Sequence, residues 1–218
     1  MSHLPRRPSL WTRLVGLGFR LLYNELAWLY DPVSWLASFG HWRAWQRTAL
    51  TFLPAGCRVL EVGCGPGHML AALAQAGCRP AGLDLSCHML RLARRRLRRA
   101  GIAAGLVCAR AECLPFNTDT FDAVLLTFPT PFVYDPRWLE RMAAVLKAGG
   151  RVVVVEAAFL NRHDVAAQGL ECLYRITGQR GTPPDLPALL EGVGLKARRA
   201  EVEITGSRVS LVIADKPG

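Results

Sequence analysis

From Cys57 onward, short apolar runs alternate with amphipathic stretches, a pattern that predicts strands interleaved with helices. Strands are expected at 58–62, 81–85, 106–111, 121–127 and 151–156. The fifth carries four consecutive valines, which suits a central strand covered on both faces. Helices are expected at 66–76, from Ser86 to Gly101, and from Asp135-Pro136 to Leu146. Gly77 and Gly101 are placed to end the first two in a left-handed conformation, and Ser86 to cap the second. A helix over 164–176 and a shorter one over 187–192 precede two final strands at 195–205 and 207–214. Thr205-Gly206-Ser207 joins these strands as an antiparallel hairpin. The predicted class is α/β, a mainly parallel sheet wrapped in helices. Ligands of such sheets sit at the C-terminal strand edge, near the first β–α turn.

Before residue 55 the pattern differs. Five of the six tryptophans lie there, in helices predicted over about 10–29 and 32–47, with Pro32 in the first turn of the second. Two readings stay open for this segment: a lid packing its aromatics onto the main domain, or an interfacial membrane helix. Arg13 and Arg20 beside Trp11, Leu14, Leu17 and Leu21 suit the latter. Residues 1–54 are therefore read as a helical, aromatic lid and 55–218 as the ligand-binding domain.

Composition narrows the class. An apolar fraction of 51% and a charged fraction of 20% argue against a largely disordered chain. The seven cysteines are odd in number and include no Cys-x-x-Cys pair. That speaks against a disulfide framework or a metal site and fits a reducing cytoplasm. No uncharged apolar run reaches the ~18 residues of a spanning helix, and the first thirty residues lack a signal-peptide pattern. Net charge is +10, densest at Arg91, Arg94, Arg95, Arg96, Arg98 and Arg99. These arginines surround a stripe of Leu90, Leu92, Ala93 and Leu97, and so read as the wet face of an amphipathic helix. A patch for anionic lipid at the inner membrane face is the competing reading. Aromatics are not interleaved with the arginines as a nucleic-acid stacking platform requires.

The chemistry is densest in Val59-Leu60-Glu61-Val62-Gly63-Cys64-Gly65-Pro66-Gly67-His68. Three glycines at alternate positions let the backbone turn sharply and approach a ligand. The following helix aims its free N–H groups at the same spot. A dinucleotide fingerprint needs a third glycine where His68 stands. Asp84 ends the second strand, where a carboxylate accepts hydrogen bonds from ribose hydroxyls. Ala109-Arg110-Ala111-Glu112-Cys113-Leu114-Pro115-Phe116 follows the third strand, and Phe121-Asp122-Ala123-Val124 and Leu146-Lys147-Ala148-Gly149-Gly150 lead into the fourth and fifth.

Together these residues resemble the class I S-adenosylmethionine-dependent methyltransferases. Tyr30-Asp31-Pro32-Val33-Ser34-Trp35-Leu36-Ala37-Ser38-Phe39-Gly40 looks like the opening of the ubiquinone/menaquinone C-methyltransferases. The likeness covers roughly residues 28–215. It implies a doubly wound, Rossmann-like sheet of seven strands, the last antiparallel, below an N-terminal helical lid. It implies S-adenosyl-L-methionine as cofactor, with Glu61, Gly63, Cys64, Gly65 and Gly67 along its methionine portion. Asp84 and Leu85 would then hold the ribose, Ala111 and Glu112 would sit beside adenine, and Thr127 and Phe128 would close the floor. Arg110 stands where relatives often carry an aspartate, so adenine recognition falls to backbone groups or Glu112. Phe128-Pro129-Thr130-Pro131-Phe132 is apolar and offers no general base. His163, just beyond strand five, is the candidate proton acceptor, and His68 reads as scaffold. Tyr30, Trp35, Trp42, Phe128 and Phe132 are expected to form an apolar acceptor pocket for a quinone- or lipid-like small molecule. The competing functions are a non-catalytic cofactor-binding or membrane-associated module, a nicotinamide-dependent oxidoreductase, and nucleic-acid methylation.

Overall fold

The computed structural model describes residues 17–18, 21–22, 24–160, 184–204 and 206–218. A short helical turn at Ala27–Leu29 leads into α1 (Tyr30–Ala37), and α2 (Trp42–Arg47) follows. The sheet begins with β1 (Arg58–Val62), then α3 (His68–Gln75), β2 (Arg79–Asp84), α4 (Cys87–Arg99), β3 (Gly105–Cys108) and β4 (Phe121–Thr127). It continues through α5 (Pro136–Val145), β5 (Leu146–Leu160), α6 (Leu186–Gly192), β6 (Lys196–Ile204) and β7 (Ser207–Asp215). Strand order is β3-β2-β1-β4-β5-β7-β6. All neighbouring pairs are parallel except β5–β7 and β6–β7. The order reverses between β1 and β4, which opens a crevice beyond the C-terminal ends of those strands.

The α/β alternation, the seven strands and the closing hairpin appear as expected. Ser86 caps α4 by accepting from the Met89 N–H at 3.2 Å. Gly77 and Gly101 take φ of 83° and 66° just past their helices. Other expectations are corrected. The helix predicted over 32–47 is two helices, because Phe39 and Gly40 both adopt positive φ (50° and 81°) and redirect the chain. Strand five is 15 residues long: it starts at Leu146, paired with Phe121 of β4, and its far half pairs with β7 out to Leu160↔Ser207. Cys87 and Cys108 form a disulfide across a sequence separation of 21. The return of the chain from α4 brings Cys108, at the end of β3, beside Cys87, at the start of α4, a proximity that a search for Cys-x-x-Cys does not see. Arg96 is not on the wet face: it is half-buried and bonded to Asp31. The predicted helix at 164–176, the earlier part of the 10–29 helix and Thr205 of the hairpin turn lie outside the described residues.

The sheet buries both faces. On one side Leu60, Val124, Val152 and Val212 pack against Trp138, Leu139 and Met142 of α5. On the other, Val59, Leu125, Val153 and Leu211 meet Met69 and Leu73 of α3 and Trp45 of α2. Trp45 is fully buried, so residues 42–52 pack into this second layer. The chain before α2 stays nearer the surface, with Trp28 and Trp35 about two-thirds exposed. Among the described residues no helix is long and apolar enough to cross a membrane.

Candidate active site

The turn after β1 is built by β2. Gly63 and Cys64 donate their N–H groups to the Leu83 carbonyl at 2.8 and 3.1 Å. Gly65 donates to Asp84 Oδ2 at 2.7 Å, and Ser86 to Oδ1 at 2.8 Å. Asp84 thus holds the bend and the start of α4 with both oxygens, and each oxygen keeps a further lone pair for a ligand. Gly63, Gly65 and Gly67 all have positive φ (74°, 50° and 78°). A Cβ at Gly63 or Gly65 would stand in open space, whereas one at Gly67 would lie 2.8 Å from the Ala93 Cβ. Gly63 and Gly65 border a cavity of about 540 Å³, and Gly67 does not. The expectation that Gly67 touches the cofactor is therefore corrected: its missing side chain lets α3 start against α4.

Two acids face the cavity. Glu61 is 1% exposed, and its Oε2 has no hydrogen-bond partner. Burial, then the nearby Asp84 charge, pushes its carboxyl well above the ordinary range, against a smaller opposing effect of the Leu70 backbone N–H. Asp84 is also raised, chiefly by burial, with the Ser86 and Gly65 N–H groups pulling the other way. A buried carboxylate oxygen with no partner, beside backbone that leaves room, suits a polyhydroxylated or cationic ligand. Cys64 lines the same wall, but burial first raises its thiol. It acts as a packing group against Leu70 and Leu90.

Leu85, Ala111 and Glu112 border the cavity on the β2–β3 side, and Thr127 and Phe128 close it at the end of β4. Glu112 accepts from Arg110 at 3.0 Å, so the two opposite charges offset each other. Thr127 Oγ1 accepts from Gln46 Nε2 at 2.9 Å, which ties α2 to the floor. Phe128 holds a left-handed φ of 50°, fixed by its N–H bond to Val155 O at 2.8 Å. This presents its ring to Trp42, stacked at 4.4 Å between centroids. Tyr30, Trp42 and Phe132 also line the cavity. Trp35 does not, and is 64% exposed. His163 lies outside the described residues.

One cluster was not foreseen. Asp31 of α1 accepts from Arg96 at 2.8 Å and lies 2.8 Å from His68 Nε2, with Arg43 of α2 at 3.8 Å. The His68 hydrogen bond most of all, then the charges of His68, Arg96 and Arg43, hold the Asp31 carboxyl below its usual range against burial. Arg96 also donates to the Pro66 carbonyl. The cluster latches the helical segment onto the glycine bend. Its only trace in the sequence was an acid in the Tyr-Asp-Pro opening.

Fold, glycine bend and acid at the end of β2 are those of the class I S-adenosylmethionine-dependent methyltransferases, to which this chain is similar. Residues 59–150 match the family model described as a methyltransferase domain. The chain is 39% identical over 139 residues to a demethylmenaquinone methyltransferase of Clavibacter sepedonicus, covering 62% of this chain and 56% of that protein. It is 35% identical over 144 residues to a ubiquinone/menaquinone biosynthesis C-methyltransferase of Pasteurella multocida, covering 62% and 53%. The alignments thus span little more than half the length of these relatives. In fold it is similar to phosphoethanolamine N-methyltransferase 2 of Haemonchus contortus, with a TM-score of 0.63 and 16% identity over 82% of this chain and 53% of that one.

Proposed function

We propose that this chain transfers a methyl group from S-adenosylmethionine to a small apolar acceptor of quinone or lipid type. The observation that carries this reading is that one cavity is lined both by open glycine backbone with Glu61 and Asp84 and by the aromatic side chains of Tyr30, Trp42, Phe128 and Phe132. Its volume, about 540 Å³, suits a small-molecule site. The curated relatives are named for methylation of demethylmenaquinone and ubiquinone/menaquinone precursors, which supports a quinone-like acceptor. In this reading α1 serves as lid to the cofactor domain, and residues 42–52 pack into that domain's core.

When bound, the cofactor supplies a methyl group on a sulfonium, already attached to a good leaving group. What the protein must add is position and dryness. Gly63 and Gly65 leave the backbone bare for the methionine portion, Asp84 and Leu85 take the ribose, and Ala111 and Glu112 flank adenine. Thr127 and Phe128 form the floor. The stacked Trp42 and Phe128 rings offer a flat apolar wall that orients an aromatic acceptor. Orientation of this kind is worth ~7–11 kcal/mol of barrier, and an apolar wall keeps out the water that would stabilise the charged donor. His68 is the imidazole bordering the cavity among the described residues. Its Nε2 lies 2.8 Å from Asp31 Oδ1 and 3.2 Å from the Arg43 guanidinium, so it secures the latch rather than moving a proton.

Calorimetric titration with S-adenosylhomocysteine, then incubation with labelled methyl donor and a panel of hydroxyquinones read by mass spectrometry, tests the proposal. Binding with labelled product is expected. Absence of S-adenosylhomocysteine binding overturns the reading. Binding without transfer to any acceptor would leave a non-catalytic cofactor module.

A further inference from the structure

Helix α1 is inside out. Along it, Tyr30, Asp31, Ser34 and Ala37 are half-buried, whereas Val33, Trp35 and Leu36 are exposed. The polar side faces the protein: Asp31 enters the latch, and Tyr30 and Ser34 border the cavity. The apolar side faces out, with Trp35 64% and Leu36 68% exposed. Trp28 before the helix and Phe39 after it are 65% and 50% exposed. A surface helix of a water-facing protein shows the reverse arrangement, and contiguous exposed apolar area of this kind marks an interaction face.

Beside it lies dense positive charge. Ala27 and Trp28 share a groove with Leu92, Arg95 and Arg99 of α4. Arg91, Arg94, Arg95, Arg98 and Arg99 are exposed, and no ion pair among the described residues neutralises them. Apolar side chains flanked by unpaired arginines make up the composition of a protein face that lies in a bilayer interface. We propose that the outer face of α1 and the arginines of α4 dock this protein on an anionic lipid bilayer, with Trp28, Trp35, Leu36 and Phe39 in the interfacial layer and the arginines over the headgroup phosphates. Charge complementarity selects this occupant. A second copy joined through the same face would set the two arginine clusters side by side, and a nucleic acid would leave Leu36 and Val33 without an apolar partner. The contact is peripheral, since no described helix can span. It goes beyond the proposed reaction and does not depend on it. It does place the bilayer against a helix whose other side borders the cavity, a short path for a membrane-dissolved acceptor.

Flotation of the full chain with vesicles of phosphatidylcholine, alone or mixed with phosphatidylglycerol, tests this. The wild type is expected to float with the mixed vesicles only, and less so as salt rises. Arg95→Glu/Arg99→Glu should lower vesicle affinity about tenfold or more, and Trp28→Ser/Trp35→Ser/Leu36→Ser should abolish flotation. Both variants should keep the wild-type melting temperature and S-adenosylhomocysteine affinity. A wild type that stays in solution, or variants that float like it, overturns the proposal. So does a wild-type dimer in sedimentation velocity that the triple variant loses, which would assign the face to a second copy. Retained flotation in a protein that binds no S-adenosylhomocysteine would leave the docking face standing and remove only the methyl-transfer reading.

Discussion

At the ends of β1 and β2, Glu61 and Asp84 sit in surroundings that oppose their charge, whereas Asp31, at the junction of α1 with the glycine bend, is ringed by partners that favour it. Burial raises both of these cavity acids. The His68 hydrogen bond and the Arg96 and Arg43 charges lower Asp31. Charged groups held at an energetic disadvantage and facing a cavity are what a ligand site requires. A charged group surrounded by its own partners is what a scaffold requires. The same residue type thus marks function in one region and assembly in the other.

The glycines repeat the contrast and give its largest test. Gly65→Val fills open space at the bend and forces a β-branched residue into a left-handed conformation. Titration should find no S-adenosylhomocysteine binding, while the fold, followed by circular dichroism, persists. Gly67→Ala should do the opposite. Its Cβ meets Ala93 at 2.8 Å, so chemical denaturation should show a loss of about 1–3 kcal/mol from overpacking, with the bend still able to bind. If Gly67→Ala removed binding at full stability, the division between the two glycines would be wrong.

Next comes Asp84→Asn. One of the two backbone donors, Gly65 or Ser86, must then face an amide N–H₂ instead of an oxygen. That unpaired donor lowers stability, while the lost carboxylate acceptor for a ribose hydroxyl, worth about 1–3 kcal/mol, should lower cofactor affinity by roughly 5- to 150-fold. Unchanged affinity would remove Asp84 from the ribose role.

Much of this contrast was legible before any coordinates, and what was not shares one physical cause. The bend, β2 and the Ser86 cap depend on contacts within about twenty residues, where periodicity and glycine placement suffice. The latch joins Asp31 to Arg96 across 65 positions, and nothing local to either residue announces the other. Trp35 and Trp42 looked equivalent because both were read on one helix. The positive φ at Phe39 and Gly40 rotates the second half, turning Trp42 onto Phe128 and leaving Trp35 outside. Gly67 and Gly65 likewise look alike in the motif, and only the crossing of α4 over the start of α3 separates packing from cradle. The disulfide belongs to the same class, since it depends on which strands become neighbours.

Acidity supplies a finer test, because the two regions should respond to pH with opposite sign. Glu61 has a folded-state pKa above its unfolded value, so the folded state retains a proton that the unfolded chain releases. Its contribution to stability is full below the ordinary glutamate range and is lost as pH rises through the elevated folded value. Glu61→Gln should flatten this fall, so that the ligand-free variant gains on the wild type in denaturant melts taken at rising pH. Asp84 is shifted the same way, and a residual slope should remain. A variant that tracked the wild type at every pH would show that Glu61 is not strained by its burial.

The smallest effect belongs to the latch. Asp31 is depressed, so its stabilisation is present above the ordinary aspartate range and fades as pH falls through the lowered folded value. Its side chain is about one-third exposed, and water screens the pairs it makes. Asp31→Asn should therefore cost about 1 kcal/mol or less at neutral pH, with no cost once the pH is low enough to protonate the wild-type residue. The distinguishing readout is binding: releasing α1 from His68 and Arg96 should loosen the Tyr30 side of the cavity and weaken acceptor more than S-adenosylhomocysteine. Equal loss of both ligands would mean that the latch shapes the glycine bend itself, and that the two regions contrasted here act as one.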